Sequence, residues 1–357
     1  MIKRFILFSF IIFLAASAIV SALDIKEGRI KLVLHERTGR FSAYYLTDLS
    51  KGIYKPFMLA DDPRTTYMSF VIADKVYQMG ESSGFKQTIE STPSGAKFVW
   101  RSSFAEVTEE FSFLRSASSP VSDGFKITIT IKNISERSYS TRTRYLFDTY
   151  LGEKSGIHFT TETIDRVSGE TVFSQYAMPE YILSPAGEKN ENGFSGLQIM
   201  LKAEGIDTPE RTLLANWKRL NDTVYDYDVK TSSNFNLLPY SVNDSAVCLY
   251  YGGRTLQRNQ ERKIVIAMGN YKEKGFTAET EGMRSEIEAV FDKTLKSTSE
   301  ISDPDLTVQT DLLTVTDLLD KIDKGLSEQI QISENEIELM KQIIEELNKR
   351  KFRYDSE

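Results

Sequence analysis

The chain of 357 residues contains a single cysteine, Cys248, so no intramolecular disulfide can form. Histidine is nearly as scarce: His35 and His158 are the two in the sequence. A zinc site gathers several Cys and His ligands, so none is expected, and the sequence assigns no metal site. There is no phosphate-cradling loop and no dinucleotide glycine fingerprint. There is no His-Glu-x-x-His pair and no Gly-x-Ser-x-Gly elbow. No cofactor is expected. A net charge of −7 gives no basic footprint, so nucleic acid is not an expected partner.

Long apolar runs are also missing, with one exception at the start. Met1-Ile2-Lys3-Arg4 is basic, Phe5 to Leu14 is apolar apart from Ser9, and Ala15 to Ala22 is rich in small residues. This is the three-part pattern of a secretory leader, so residues 1–22 are expected to be cleaved on export. The run is short for a membrane span of roughly 20 residues. No cysteine lies in the cleavage zone, so no lipid attachment is expected there. The expectation is a periplasmic or secreted protein with no stable membrane span after cleavage.

What is present is a large supply of core material, including 17 Tyr and 21 Phe. Residues 23–275 read as β. Lys126-Ile127-Thr128-Ile129-Thr130-Ile131-Lys132 alternates strictly and places three isoleucines on one face. Residues 30–34, 68–72, 97–100, 111–114 and 264–267 also read as strands. Turn signals such as Thr38-Gly39 and Ser122-Asp123-Gly124 separate such runs. The expected fold is mainly β, a large antiparallel β-sandwich. Cys248, in an apolar run, reads as a buried strand residue.

The pattern changes after residue 275. Met283, Ile287, Val290, Phe291 and Leu295 give a helical stripe, and a polar linker completes residues 276–303. From Pro304 to the end, 13 acidic residues stand against 7 basic ones. Leu312, Val315, Leu319, Ile322 and Leu326 mark one helix, with Gly325 as its expected stop. Ser333-Glu334-Asn335-Glu336 is a capping box that opens a second, with Ile337, Met340, Ile344 and Leu347. A helical hairpin over 304–357 is expected rather than one continuous coiled coil. Isolated helices this short are marginal, so they must pack on the body, on each other or on another chain. A homo-oligomer through residues 304–351 is one of those outcomes.

Two stretches carry the candidate chemistry. In 141–151, a period of two puts Arg142, Arg144, Leu146, Asp148 and Tyr150 on one strand face, opposite Tyr145 and Phe147. Arg144 and Asp148 would stand roughly 13 Å apart on a strand and need other partners. They could line a groove or form a solvated face. Glu153 and His158 follow in a loop, and His158 could act as acid or base. In 216–229, Trp217, Tyr225 and Tyr227 lie among amides and carboxylates. Tyr225 and Tyr227 are expected to share a strand face. Such rings stack on sugar C–H faces while polar neighbours bond hydroxyls, or they are core packing. The candidate ligand residues are therefore Arg142, Arg144, Asp148, His158, Trp217, Tyr225 and Tyr227. Carboxylates abound, so a two-carboxylate glycosidase is open.

Arg144-Tyr145-Leu146-Phe147-Asp148-Thr149-Tyr150-Leu151-Gly152-Glu153 resembles a motif of exported bacterial proteins of spirochaete periplasmic type. Pro239-Tyr240-Ser241-Val242-Asn243-Asp244-Ser245-Ala246-Val247 does so too. The resemblance covers about residues 25–272 and implies a galactose-mutarotase-like β-supersandwich. That fold hosts mutarotases, lyases and non-catalytic sugar-binding domains. Mutarotases use a histidine pair and a glutamate base, and neither histidine here sits in a matching motif. The leading expectation is a non-catalytic periplasmic protein that binds a glycan or envelope component and assembles through its helical tail. One alternative is a carbohydrate-active epimerase or lyase using Arg144, Asp148, Glu153 and His158. Another is a structural accessory of an envelope or periplasmic flagellar assembly, with an envelope protein as partner.

Overall fold

The computed structural model describes residues 22–187, 193–278, 290–291, 294, 304–327 and 334–354. The expected leader lies outside them, except Ala22, as do most of the helix and linker expected over 276–303 and the capping Ser333.

The described chain is mainly β. β1 (Ala22–Glu27), β2 (Ile30–His35), β3 (Arg40–Asp48) and β4 (Ile53–Pro56) form a four-stranded antiparallel meander. β5 (Tyr67–Ile72), β6 (Lys75–Gln78), β7 (Lys86–Thr92), β8 (Gly95–Arg101), β9 (Ala105–Leu114), β10 (Gly124–Asn133) and β11 (Tyr139–Asp148) come next. β12 (Thr171–Ser174), β13 (Tyr181–Pro185), β14 (Gly196–Met200), β15 (Arg211–Asn216), β16 (Ser245–Leu256) and β17 (Glu261–Asn270) complete the strands. A seven-stranded sheet runs β13-β14-β17-β10-β9-β8-β7, and a six-stranded sheet runs β12-β15-β16-β11-β5-β6. The pairings between their neighbouring strands are antiparallel.

Both large sheets, with β2 and β3, feed one hydrophobic core. β10 shows why. Its Ile127, Ile129 and Ile131 are fully buried while the intervening threonines and the two flanking lysines are half-exposed. Truncating one such isoleucine to alanine costs about 2–5 kcal/mol. From the six-stranded sheet, Tyr145 and Phe147 of β11 enter the same core, stacked 4.2 Å apart. The β2–β3 turn falls at Thr38-Gly39, where Gly39 has φ +59°, a conformation open to glycine.

One inward position breaks the apolar rule. Ala105, Val107, Glu109 and Phe111 share the buried row of β9. The Glu109 carboxyl accepts the Tyr145 hydroxyl, and burial pushes its pKa up to about 7. Sequence reading began this strand at Phe111 and so passed over the charge.

Between β15 and β16 the chain leaves the sheet. Helix α1 (Trp217–Asn221) is capped by the Asn216 side chain, which accepts the Arg219 amide at 3.1 Å. The rest of the excursion has no strand over 222–236, so Tyr225 and Tyr227 do not share a strand face. Their alternation with aspartates imitates a strand, but no neighbouring strand pairs with them. The excursion lies over the outer face of the six-stranded sheet. There Leu220 and Tyr225 pack with Leu146, Leu213, Cys248 and Tyr250 in a second, smaller core.

The C-terminal helices are α2 (Pro304–Ser327) and α3 (Glu334–Tyr354). α2 runs on through Gly325 to Ser327, the last described residue of that stretch, so the glycine is not its stop. α2 sits on the body: Arg29 donates to Thr310 Oγ1 at 3.2 Å, and Leu313 packs with Leu46 and Val121. α3 packs on α2 through Leu318, Met340, Ile343 and Leu347. Arg350, near the end of α3, pairs with Asp311, in the first half of α2, at 2.9 Å, so the helices run antiparallel. No described helix is long and apolar enough to cross a membrane.

Candidate functional site

β11 keeps the expected two-residue period, and its outward row is Arg142, Arg144, Leu146 and Asp148. The excursion after β15 covers that row. Arg144 is buried and donates to the Leu220 carbonyl at 2.7 Å and the Thr223 carbonyl at 3.1 Å. Its Nε lies 3.2 Å from Cys248 Sγ. One guanidinium thus satisfies carbonyls at the end of α1 and ties the cover to the sheet. Cys248 is buried beneath it.

The aromatic candidates belong to the same cover. Trp217 is half-buried and donates its indole N–H to the Thr65 carbonyl at 2.9 Å. Tyr225 is buried edge-on to Tyr250, whose hydroxyl donates to the Tyr225 carbonyl at 2.8 Å. Tyr227 donates to Glu170 at 2.9 Å, and Arg219 holds the same carboxylate at 2.7 Å. Arg142 is half in solvent, 3.4 Å from Asp226 and over the Tyr225 ring. Arg142, Arg144, Trp217, Tyr225 and Tyr227 therefore gather around one covered face, as packing and ties. His158 is buried in the 149–158 loop with its ring 4.4 Å from Phe235. Its Nδ1 has no hydrogen-bond partner, and burial, with Arg166 nearby, lowers its pKa.

Asp148 is different. It ends β11, and its antiparallel neighbour β16 begins alongside, with Asp148 in register with Ala246. That pairing brings Asp244, just before β16, to the end of β11, and the loop after β11 returns Glu153 to the same place. Oxygens of Asp148, Glu153 and Asp244 all lie within 4.8 Å of one another. The ties around them are specific. The Ser245 amide donates to Glu153 at 3.0 Å, and the Asp148 amide donates to Thr66 Oγ1 at 3.0 Å. Thr65 beside Asp148 and Ser241 beside Asp244 hold those two carboxyls lower than burial alone would.

Three carboxylates this close repel when ionised. Burial, with the charges of Asp244 and Asp62, pushes the Asp148 carboxyl up to about 7. Burial, with Asp148 and Asp244, pushes Glu153 up to about 8. Asp244 is raised as well, chiefly by burial. Such groups titrate as a set. At neutral pH the set retains protons, so it both donates and accepts hydrogen bonds. An all-oxygen set is also what a hard cation takes in place of protons. It is the one His, Cys, Asp and Glu group among the described residues close enough to share an ion. Sequence reading sought metal sites through histidine and did not single out Asp244. The available signal was that both stretches carrying the family resemblance hold an acid of this set.

Beside the trio, residues 237–242 form a solvent-facing loop. Leu238, Tyr240 and Val242 are all well exposed, Tyr240 at 73%. The Asn216 side chain anchors the loop by donating to Ser241 Oγ at 2.9 Å and to the Phe235 carbonyl at 2.9 Å.

No protein-family model matches the chain, and no curated protein matches it. Solved structures do. A galactose mutarotase related enzyme from Lactobacillus acidophilus aligns with 73% of this chain and 100% of its own, at 11% identity and a TM-score of 0.39. A polysaccharide lyase aligns with 70% of this chain and 33% of its own, at 10% identity and a TM-score of 0.40. The 4-alpha-glucanotransferase of Thermococcus litoralis aligns with 71% of this chain and 38% of its own, at 10% identity and a TM-score of 0.38. Likenesses at this level decide nothing about ligand or activity.

Proposed function

We propose that this is an exported protein of the cell envelope that binds carbohydrate at the Asp148 end of the six-stranded sheet, without turning it over. The observation that carries the reading is Tyr240, open to solvent on a loop whose next residue lies beside Asp244. An open ring offers a face to sugar C–H groups. Carboxyls that keep protons at neutral pH offer donors and acceptors to hydroxyls. The leader pattern of residues 1–22 supports export. The resemblance of residues 144–153 and 239–247 supports a galactose-mutarotase-like supersandwich, and two sheets packed on one core agree with it. The helices after Pro304 form a helical hairpin in this reading.

Calorimetry against a panel of neutral and acidic oligosaccharides tests the assignment. Tyr240→Ala should weaken the best ligand about tenfold, the size of one lost aromatic contact. Equal affinity in Tyr240→Ala and Asp244→Asn would remove the site, and silence across the panel would remove the function.

A second reading is a carbohydrate-active epimerase or lyase. The observation that favours it is Asp148 near 7 and Glu153 near 8, where general acids and bases work best at neutral pH. Product release from a panel member, abolished in Glu153→Gln, would put this reading in place of the first.

A further inference from the structure

The helices after Pro304 carry apolar residues that neither the body nor each other covers. Leu312 and Leu319 on α2 are 54% and 56% exposed, and Ile337 and Ile344 on α3 are 43% and 44% exposed. Each pair is seven residues apart, so each forms a row along its helix. At about 100° per residue, the α2 row stands roughly 75° from the side that meets α3 and roughly 145° from the side that meets the body. The α3 row stands roughly 75° from the side of Met340, Ile343 and Leu347, in the same rotational sense. In an antiparallel pair, equal offsets of one sense fall on one side. Both rows therefore share a single outward face, turned away from the body.

The charges of α3 say what fits there. Residues 334–346 hold five glutamates and one lysine, and residues 347–354 hold four basic residues and no acid, with Arg350 of the four engaged by Asp311 of its own chain. A second α3 laid parallel would set like charges against like. Laid antiparallel, it sets the acidic part of each copy against the basic part of the other.

We propose that this face pairs with a second copy of the chain about a two-fold axis passing near Ile344, with the two α3 helices antiparallel. Ile344 then meets Ile344 of the partner subunit, and Ile337 meets the aliphatic stem of Lys351 of the partner subunit. Glu338 comes opposite the end of the partner subunit's α3 that carries Lys349 and Lys351. Leu312 and Leu319 flank this seam on the α2 side. The interface is self-complementary, as a two-fold contact requires. The proposal is independent of the carbohydrate reading, because the trio and the Tyr240 loop contribute nothing to it.

Cysteine substitution on the full chain tests it, because Cys248 is buried and leaves a new surface thiol as the reactive one. Sedimentation should give twice the chain mass. Mild oxidation should cross-link Ile344→Cys to its own copy, while Ile337→Cys alone stays uncrosslinked. Ile344→Glu should shift the mass to that of one chain and leave the thermal unfolding of the β-body in place. A single-chain mass at every concentration would overturn the proposal. So would equal cross-linking at both positions, which marks a parallel pairing, or a dimer that survives Ile344→Glu.

Discussion

Arg144 and Asp148 lie on the same face of the same strand, four residues apart, and both are buried. They have opposite fates. Arg144 is surrounded by neutral acceptors, two carbonyls and a sulfur, and a guanidinium keeps its charge in such a setting. Asp148 is surrounded by other carboxylates, and it holds a proton near neutrality. Burial alone marks neither residue as functional. The partners decide: the satisfied charge is a structural tie, and the crowded one responds to its surroundings.

The largest expected effect comes from breaking the tie. Arg144→Met removes the guanidinium's bonds to the Leu220 and Thr223 carbonyls beneath the cover, and should cost about 3 kcal/mol of stability. Urea unfolding near neutral pH measures it. A loss below about 1 kcal/mol would mean that the cover does not depend on this guanidinium.

The crowded end should respond to pH. Asp148, Glu153 and Asp244 all have folded pKa values above their ordinary ones, so the folded state keeps protons that the unfolded chain has released. Their stabilising contribution is full below pH 4 and is lost as pH rises through the folded values, toward about 8. Asp148→Asn should remove about 3 kcal/mol of that decline between pH 4 and 7. Thermal unfolding across pH measures it. An unchanged slope would disconnect Asp148 from the trio.

Glu109 sharpens the comparison, because it is a buried carboxyl with no carboxylate beside it. Burial raises it, while the Tyr145 hydrogen bond and Arg40 oppose the rise. Glu109→Gln should flatten the same pH profile slightly less, by about 2.5 kcal/mol, because its ordinary pKa starts higher. A flattening larger than that of Asp148→Asn would show that burial outweighs crowding. The smallest effect belongs to Arg142, half in solvent and paired with Asp226. Arg142→Ala should cost no more than about 0.5 kcal/mol, and screening by salt should erase it.

Much of the β-body was legible because single strands announce themselves. The isoleucines of β10 and the runs at β2, β5, β8 and β17 fall where alternation put them. The cover over β11 was not legible. Nothing local says that residues 217–229 fold over a sheet rather than extend it, and the Tyr-Asp alternation there points the wrong way. The helices after Pro304 were readable in period, but Gly325 alone was a poor guide to where α2 ends. At the site, Asp148 and Glu153 were visible as charges near a strand end. Asp244 stands 91 residues beyond Glu153 in the chain, and only the pairing of β11 with β16 brings it alongside.

The carboxylate trio also fastens three distant parts of the chain. Thr65 belongs to the connection before β5, Glu153 to the loop after β11, and Ser241 and Asp244 to the loop before β16. Oxygens of the three acids lie within 4.8 Å of one another, so a proton on one is felt by the others. Local opening should then be collective. The amides of Leu59, Thr149 and Ser245, bonded across these segments, belong to one cooperative unit of hydrogen exchange. The end of the six-stranded sheet that bears the exposed Tyr240 should then open as a whole, and more often as pH rises through the folded values of the trio.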